Sequence, residues 1–520
     1  MLQTTVVRVA VVGLMAVTAA LPGACVFGLK DIDLALDERP CDRDEDCVDV
    51  GASCVDRRCV LGEGEGEGEG EGEGEGEGEG EGEGEPPRDA LEARRAFALS
   101  TSGDSSGRAV DVLDDGTVVL VADYATTGMR VGDDARFGLP SAPGSVVAAF
   151  NGDGTVRFAI AASGVNIEPE RGIAAVDIGR GDVNVGWFCG DVGPDGELDY
   201  IGTAVAPVQD GPYVQVFSTA TGAFDAHIPL PRNATPTDVA VDKDGGVYVV
   251  GTFVDTFTMD GLSVTAVGND GSDVFVAHFN TNRTVTSIAR LGSESEFPHP
   301  IVDVMTVSGE AVVAFNAFGV LRDSSLAALD SQRAVVAIVD GSTIAALLVA
   351  PEAGTGTRVT AIVGDEVGFL LGGAATVDGT ERGWVLQAGY DTSKLATFGV
   401  SSRVIGGRTV DAVALDVDDG FVIGASVTGA ADATFGDVGI DAVTVDLHGG
   451  SDIAIVHLDS GFAPIRARSF GGVDDDDVTG VAANLSDIVF TGEVDSVIDV
   501  DGVTLPARIA PVWVLAARDD

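Results

Sequence analysis

The feature that most constrains the fold of this chain is a repeat that is divided between its two ends. From about residue 107 onward the sequence repeats a short apolar strand, an Asp/Gly turn, a Val-rich strand, a variable loop and two further alternating strands. The last copy stops after its third strand at 511–517 (PVWVLAA), and the segment 94–100 (RRAFALS), before the first copy, has the pattern of the absent fourth strand. Because a circular array closes by completing one sheet with strands from both ends, the division predicts a closed ring of blades.

Seven copies of the repeat can be aligned. The two sharpest contain 237–251 (TDVAVDKDGGVYVVG) and 410–424 (VDAVALDVDDGFVIG). The weaker copies start near Arg108, Gly172, Ile301, Arg358 and Val478. We therefore predict an all-β, seven-bladed β-propeller whose last blade is closed by the N-terminal strand. Six or eight blades, an open solenoid and two tandem β-sandwiches are the alternatives, and the short fourth and fifth spacings predict trimmed loops in those blades.

Tight turns separate the strands within each copy. Asp-Gly or Gly-Gly pairs occur at 115–116, 153–154, 245–246 and 419–420, where a hairpin turn needs the positive φ that Gly adopts without steric cost. The carboxylates of 242–244 and 416–419 stand at the same turns. We interpret them as Asx-type hydrogen-bond acceptors that shape the turn, since Asp side chains commonly bond the backbone two residues on.

Three segments carry a resemblance to a known family: 239–253 (VAVDKDGGVYVVGTF), 272–277 (SDVFVA) and 469–477 (SFGGVDDDD). With them the chain resembles the short bacterial β-propeller repeat family of surface lipoproteins. The resemblance is sharpest in the third, sixth and seventh copies, and the family's Asp is absent at 305–308 and 363–366. It implies a propeller fold and a cell-surface setting, and it implies no reaction.

Residues 1–24 are predicted to be a secretory signal peptide, because Arg8 precedes an apolar run at 9–21 and then small residues. The segment 21–25 (LPGAC) resembles a bacterial lipobox, which implies that Cys25 is acylated, although Pro22 stands where a large aliphatic residue is usual. Ordinary cleavage near residue 19 or 20 is the alternative. By resemblance to sorting signals, Val26 favours an outer-membrane lipoprotein of the cell envelope, on its periplasmic or its extracellular face.

The segment 25–61 is predicted to be a small Cys-rich unit behind the lipid anchor. It contains four closely spaced cysteines, Cys41, Cys47, Cys54 and Cys59. In an exported chain this spacing predicts two disulfides with three possible pairings, and a zinc site is the alternative. Such a unit is too small to bury a core, so cross-links must stabilise it. Cys189 stands alone in an apolar strand and is predicted to be an inert buried thiol.

Residues 62–87 are predicted to be a disordered linker. The dipeptide Gly-Glu is repeated from residue 62 to residue 85 and is followed by two prolines. Such a segment has no apolar side chain to bury, and its like charges repel one another. Residues 88–520 then form the propeller, so the predicted order is anchor, cross-linked unit, tether and propeller.

The charge of the chain excludes several partners. Its formal net charge is −53 at pH 7, with 83 acidic and 30 basic residues. Nucleic acids and anionic lipid surfaces require clustered Lys and Arg, so contact with a membrane is expected only through the lipid anchor. We expect a monomer that binds a protein or a glycan through its propeller loops.

No catalytic or cofactor motif can be recognised in the sequence. The run 474–477 (DDDD) is contiguous, so its side chains diverge on an extended backbone; we interpret it as loop chemistry, with weak Ca²⁺ binding at acidic loops as the alternative. His278 and His457 occupy equivalent places in two copies, which indicates a packing role. Trp384 and Trp513 align with Phe275, and together with Trp187 they are predicted to be core residues.

These observations predict an exported, lipid-anchored, non-enzymatic binding or scaffold protein without a cofactor. An envelope polysaccharide hydrolase or lyase is one alternative, and a passive spacer is another. Two carboxyl groups about 5–10 Å apart in a deep axial funnel would favour the enzyme.

Overall fold

The computed structural model describes two parts of the chain. It describes residues 53–55 and 58–60 and, with gaps, residues 91–516. The gaps are 92, 100–104, 114, 126–129, 133–136, 140–142, 164–171, 180–184, 193–196, 201–210, 268–271, 293–301, 308, 322–328, 350–354, 365–367, 392–395, 407–408, 416–419, 429–432, 436–442, 485–486, 496, 501–502 and 506–510. Internal contacts divide the chain into the units Met1–Gly84 and Glu85–Asp520, and each is described by itself.

In the first unit the described residues form one short hairpin. Its strands are β1 (Ser53–Val55) and β2 (Arg58–Val60), and their register places Cys54 opposite Cys59. The signal peptide 1–24, Cys25, Cys41, Cys47 and the linker 62–87 lie outside the described residues.

The second unit contains seven antiparallel sheets that follow one another along the chain, which we number as blades 1 to 7. Their strands, from the innermost to the outermost, are as follows. Blade 1 has β4 (Ser105–Val112), β5 (Val118–Tyr124), β6 (Gly144–Phe150) and β7 (Val156–Ser163); blade 2 has β8 (Gly172–Ile178), β9 (Val185–Val192), β11 (Gly211–Ser218) and β12 (Phe224–Pro229); blade 3 has β13 (Ala234–Val241), β14 (Val247–Val254), β17 (Ser272–Phe279) and β18 (Val285–Leu291); blade 4 has β19 (Val302–Val307), β20 (Glu310–Gly319), β21 (Leu329–Asp340) and β22 (Thr343–Val349).

The remaining three blades follow the same order. Blade 5 has β23 (Thr355–Gly364), β24 (Gly368–Val377), β25 (Thr380–Asp391) and β26 (Ala396–Gly406); blade 6 has β27 (Thr409–Leu415), β28 (Phe421–Thr428), β31 (Ser451–Leu458) and β32 (Pro464–Phe470); blade 7 has β33 (Asp476–Ala483), β34 (Asp487–Val494), β37 (Pro511–Ala516) and β3 (Ala93–Ala98). The prediction of trimmed loops is confirmed in blade 5, where only two residues, 378–379, join β24 to β25.

Blade 7 closes the ring with strands from both ends of the unit, as predicted. β3 pairs antiparallel with β37, with Ala96 opposite Trp513 and Phe97 opposite Val512. The innermost strands of the last and first blades are also joined, since the Thr479 hydroxyl donates a hydrogen bond of 2.9 Å to the Gly107 carbonyl. The all-β, seven-bladed propeller is therefore confirmed. Among the described residues no helix has the length and hydropathy that a membrane-spanning segment needs.

The hydrophobic core is divided into clusters that lie between neighbouring blades. Because side chains alternate along a strand, each sheet sends apolar residues towards both neighbours. The described residues form seven such clusters, and one of them joins Val512 and Val514 of blade 7 to Leu120 and Val146 of blade 1. A cluster at the last-to-first junction is what a closed ring requires.

The aromatic residues predicted to be core are buried where the side chains are described. Trp187, Trp384 and Phe275 have almost no exposed surface, and the Trp384 indole donates a hydrogen bond of 3.0 Å to the Ala374 carbonyl. The side chain of Trp513 lies outside the described residues. Cys189 is fully buried, as predicted, and burial raises the pKa of its thiol well above the ordinary value.

Two connections add strands to the outer edges of neighbouring blades. β10 (Glu197–Tyr200), from the loop between β9 and β11, pairs with β7 and gives the blade 1 sheet a fifth strand. The hairpin of β29 (Ala433–Phe435) and β30 (Val443–Val445) joins the blade 5 sheet at β26. Two further hairpins, β15 (Thr256–Met259) with β16 (Leu262–Thr265) and β35 (Ile498–Val500) with β36 (Val503–Leu505), form separate two-stranded sheets.

Candidate binding face

The antiparallel order of the strands gives the propeller two different faces. Connections from the first to the second strand and from the third to the fourth strand of a blade, such as 242–246 and 459–463, lie on one face, which we call the turn face. Connections from the second to the third strand and from one blade to the next, such as 446–450 and 471–475, lie on the other, which we call the loop face. The two faces differ in how their carboxylates are bonded.

Carboxylates on the turn face are used to shape tight turns. Asp242 Oδ1 accepts hydrogen bonds from the backbone N–H groups of Asp244 (2.8 Å) and Gly246 (2.9 Å), and Gly245 has a φ of 85°. The same pattern recurs in other blades, at Asp115, Asp153 and Asp459. The Asx-type interpretation is confirmed for 242–244, and 416–419 lies outside the described residues.

His278 is part of this turn structure. Its Nε2 lies 2.8 Å from Asp242 Oδ2, its Nδ1 lies 2.9 Å from the Thr286 hydroxyl, and its ring stacks on Tyr248 with centroids 4.3 Å apart. Burial raises the pKa of the Asp242 carboxyl, but the hydrogen bonds from His278 and from the two backbone N–H groups outweigh it and lower the pKa. The imidazole, stacked on Tyr248, fixes a turn, as the packing interpretation predicted.

His457 holds the equivalent place in blade 6. It is buried, and its Nδ1 lies 3.2 Å from a guanidinium nitrogen of Arg466. A side chain at Gly420, beside the first turn of that blade, would come within 2.8 Å of His457 Nε2. His278 therefore contacts the first turn of blade 3, and His457 lies beside Gly420, the residue before the second strand of blade 6.

Bulges in the innermost strands place five polar residues and one alanine at the opening of the ring. Six of the seven blades carry a register shift in this strand, which leaves one residue unpaired. The residues at these positions are Arg108, Ala174, Thr237, Thr360, Asp411 and Thr479. Because a bulge re-aims its side chain, these residues can reach a neighbouring strand or blade, as Thr479 does.

Arg108, Asp123 and Glu493 form a charged group where blade 7 meets blade 1 on the loop face. The Arg108 guanidinium contacts Asp123 Oδ2, whereas Asp123 Oδ1 is buried and has no hydrogen-bond partner among the described residues. Burial raises the pKa of Asp123 to about 6; Arg108 opposes the rise, and the neighbouring Glu493 adds to it. This carboxyl therefore holds a proton over part of the range near neutral pH.

A second charged group lies where blades 5, 6 and 7 meet. Asp411 accepts a hydrogen bond of 2.9 Å from the Ser426 N–H. Burial raises the pKa of the Asp411 carboxyl, Asp477 adds to that rise, and the bonds with Ser426 and the charge of Arg358 oppose it. We call Asp123, Asp411, Asp477 and Glu493 the rim carboxylates.

The acidic run 474–477, interpreted from the sequence as loop chemistry, forms part of the loop face. Its carboxylates accept hydrogen bonds mainly from the loops around it. Asp475 accepts from the Ser451 N–H at 3.0 Å, and Asp476 accepts from the N–H groups of Gly472 and Asp495, each at 2.8 Å. Around it lies an open cleft of about 410 Å³. We call this cleft the acidic cleft. Its lining residues are Gly450, Val473, Asp474, Asp475 and Asp495. In the described part of the chain no three His, Cys, Asp or Glu side chains are grouped so that they could hold a metal ion.

The rim carboxylates Asp123, Asp411 and Glu493 are not predicted by the sequence pattern. A signal exists for two of them once the blades are aligned by register. Asp123, Asp191 and Glu493 occupy the same position near the end of the second strand in three consecutive blades, and each follows Ala or Gly. Asp411 gives no such signal, because it depends on a bulge.

No protein-family model matches this sequence, and no curated protein matches it. Similar solved structures include the β-propeller domain of the trilobed protease from Pyrococcus furiosus, at 10% identity and a TM-score of 0.38, over 81% of this chain and 97% of that one. The acylaminoacyl peptidase of Pyrococcus horikoshii is 10% identical with a TM-score of 0.41, over 80% of this chain and 53% of that one.

The WD40 repeats of RRP9 are 10% identical with a TM-score of 0.31, over 68% of this chain and 97% of that one. At these low identities and TM-scores the matches carry no argument about this chain. The ring of blades rests on strand pairing and on the clusters between blades.

Proposed function

We propose that this chain is an exported, lipid-anchored, non-enzymatic β-propeller that acts as a cell-surface binding or scaffold protein and binds a protein or a glycan on its loop face. The observation that carries the proposal is the difference between the two faces. Asp242 and Asp459 of the turn face accept hydrogen bonds within their own turns, whereas the loop face has the acidic cleft and the half-buried carboxyl of Asp123, whose Oδ1 has no hydrogen-bond partner among the described residues.

The chemistry of the loop face favours a ligand with positive charge. Carboxylates that remain close together raise one another's pKa, as Glu493 does for Asp123. A Lys or Arg side chain from a ligand relieves that repulsion and supplies hydrogen-bond donors that Asp123 Oδ1 lacks. A segment of a basic protein is therefore the preferred ligand, and a neutral glycan, whose donors carry no positive charge, is the weaker one.

Binding can be tested with a fluorescent Lys/Arg-rich peptide and an array of neutral glycans. The double variant Asp474→Asn/Asp495→Asn removes two charges from the acidic cleft, and we expect it to weaken peptide binding by at least tenfold, which is about 1.4 kcal/mol. The matched control is Asp244→Asn/Asp459→Asn, which removes two charges from the turn face. Equal loss in both variants, or no binding by the unaltered protein, would contradict a loop-face site.

Anchoring is proposed from the sequence at 21–25 and the apolar run before it. Mass spectrometry of the native, unreduced amino terminus tests it: a diacylated Cys25 supports the anchor, and a free terminus near residue 20 contradicts it. The same experiment reports the disulfides. Because Cys54 lies opposite Cys59 in a two-stranded hairpin, where Cα atoms are close enough for a bridge, we expect these two to be linked and Cys41 to be linked to Cys47.

An envelope polysaccharide hydrolase or lyase is the second candidate, and one observation favours it. The pKa of Asp123 is raised to about 6 and Glu493 lies nearby, which is how glycosidases separate an acid from a second carboxylate. Release of reducing ends from envelope polysaccharides, lost in both Asp123→Asn and Glu493→Gln, would support the enzyme. A wild-type protein that releases none would exclude it for the polysaccharides tried.

A further inference from the structure

The outermost strand of each blade has an edge whose backbone N–H and C=O groups are not used by the other three strands of that blade. Proteins usually protect such edges with charged side chains or cover them, because an open edge recruits other strands. In six blades the outermost strand contains at least one charged residue. One such residue from each of these strands is Arg94, Arg157, Asp225, Arg290, Arg403 and Arg466.

The outermost strand of blade 4 is the exception. β22 reads TIAALLV and contains no charged residue. It is the terminal strand of its sheet, and among the described residues no strand pairs with its outer edge. Ile344 and Leu347 pack against the core towards blade 3, and Ala346 and Leu348 pack against the core towards blade 5. These side chains are only partly buried, so both the edge and its apolar side chains are accessible.

Blade 1 shows what covers an edge of this kind. The uncharged stretch 160–163 (IAAS) of β7 pairs with all four residues of β10. Under this added strand Ile160, Ala161 and Ala162 are almost completely buried. In β22 the register shift at Ala345 leaves a regular stretch of the same length, 346–349. A strand of four residues is therefore sufficient to cover such an edge in this fold.

We propose that the outer edge of β22 binds an extended segment of a partner protein by strand addition, and that this segment alternates apolar residues and is flanked by Lys or Arg. The backbone groups of an edge pair only with another extended backbone, which specifies the conformation. The apolar, half-buried surface of β22 specifies the alternating side chains. The charge of the chain, −53 overall, and the exposed Asp340 beside the start of β22 specify the basic flanks.

A second copy of this chain fits the same edge less well. A seven-residue strand is about 23 Å long, and pairing along it covers much less than the roughly 1,600 Å² of a stable interface between two folded proteins. Two copies would also bring two strongly acidic propellers together. An extended peptide does not carry that repulsion, so the partner segment is preferred over a dimer.

The experiment uses the full chain and the fluorescent peptide KKTVAVTVKK, with binding followed by anisotropy and by hydrogen exchange of the β22 amides. Ala345 is exposed, so Ala345→Lys adds a charge to the edge without filling the core, and we expect it to weaken binding at least tenfold. The matched control is Ile465→Lys, because Ile465 is 44% exposed on an outermost strand that already carries charges. It should bind like the wild type, and binding should protect the amides of 346–349.

Two further probes keep the test decisive if Ala345→Lys folds poorly. A peptide with N-methyl groups along one edge cannot complete the strand pairing, and EETVAVTVEE lacks the basic flanks. On the wild-type protein we expect the first to lose binding and the second to bind at least tenfold more weakly at low salt. Equal binding of all three peptides, no protection of the β22 amides, or no binding would overturn the proposal, whereas protection at the acidic cleft reports the loop-face site separately. A dimer in sedimentation equilibrium that Ala345→Lys dissociates would overturn it in favour of self-pairing.

Discussion

The turn face and the loop face contain the same residue type, Asp, in opposite electrostatic situations. On the turn face, Asp242 accepts two backbone hydrogen bonds and contacts His278, and the pKa of its carboxyl is lowered. On the loop face, Asp123 and Asp411 are half-buried next to other carboxylates, and their pKa values are raised. Burial alone raises the pKa of a carboxyl, so the number of donors that reach it determines the direction of the shift.

The comparison indicates that the two faces have different tasks. A carboxylate whose pKa is lowered stabilises the fold at neutral pH, and one whose pKa is raised destabilises it there. Asp242 on the turn face therefore stabilises the fold, whereas Asp123 on the loop face retains an oxygen that a ligand can still satisfy. Such groups are typical of sites that bind a partner.

The largest effect is expected from Asp242→Ala. The change leaves the N–H groups of Asp244 and Gly246 and the His278 ring without their acceptor, and we expect a loss of about 3 kcal/mol in the free energy of unfolding. Denaturant unfolding measures it. Asp242→Asn, which keeps one oxygen for the two N–H groups, should lose only about 1 kcal/mol, and equal losses in the two variants would contradict the assigned role of the turn bonds.

The pH dependence of this contribution has a defined sign. The pKa of Asp242 is lower in the folded state than its ordinary value of 3.8. Its stabilisation is therefore present above about pH 3.8 and is lost as the pH falls through the folded value. The difference in stability between wild type and Asp242→Ala should shrink below pH 3.8, and a constant difference would show that the ionised carboxylate is not responsible.

The next effect is expected from Gly245→Ala on the same face. Gly245 has a φ of 85°, which an L side chain adopts at a cost of about 1–2 kcal/mol. The expected loss of stability is of that size and does not depend on pH. Gly461→Ala is a suitable comparison, because Gly461 lies in the equivalent kind of turn but does not have a positive φ. A larger loss at Gly461 would indicate that the turn geometry is assigned wrongly.

A smaller effect of opposite sign is expected from Asp123→Asn on the loop face. The pKa of Asp123 is about 6 when folded, compared with 3.8 as the ordinary value, so its charged form opposes folding above pH 6. We expect Asp123→Asn to stabilise the protein by about 1 kcal/mol at pH 7.5 and to have little effect at pH 3.5. Unfolding curves at the two pH values provide the test. Destabilisation at pH 7.5 would mean that the favourable contact with Arg108 contributes more free energy than the burial of the Asp123 charge costs.

The smallest effect on stability is expected from Asp474→Asn in the acidic cleft. Because surface substitutions away from caps and cores usually change stability by less than about 0.5 kcal/mol, thermal unfolding should hardly change. Binding of the Lys/Arg-rich peptide should nevertheless weaken. A loss of stability without a loss of binding would show that Asp474 supports the loop structure and does not contact the ligand.

The sequence was sufficient for several features of the propeller that depend on local pattern. The division of one repeat between 94–100 and 511–517 predicted the pairing of β3 with β37, because an incomplete sheet must find its missing strand. Asp242 was predicted correctly because an Asx turn is completed within a few residues. The burial of Trp384 and Trp187 followed from their place in alternating strands.

Features that depend on the register between strands and between blades required the tertiary structure. Arg108 and Asp411 face polar neighbours because each occupies a bulge, and a bulge is a mismatch between two strands that neither strand encodes alone. Asp123 and Glu493 are 370 residues apart in the chain and become neighbours only when blade 7 packs against blade 1. The uncovered edge of β22 is also a tertiary property, because the strands that extend the edges of blades 1 and 5 belong to the blade that follows each of them. Local hydrogen bonds and alternation are properties of a short segment, whereas charge proximity and edge exposure are set by which sheets meet when the ring closes.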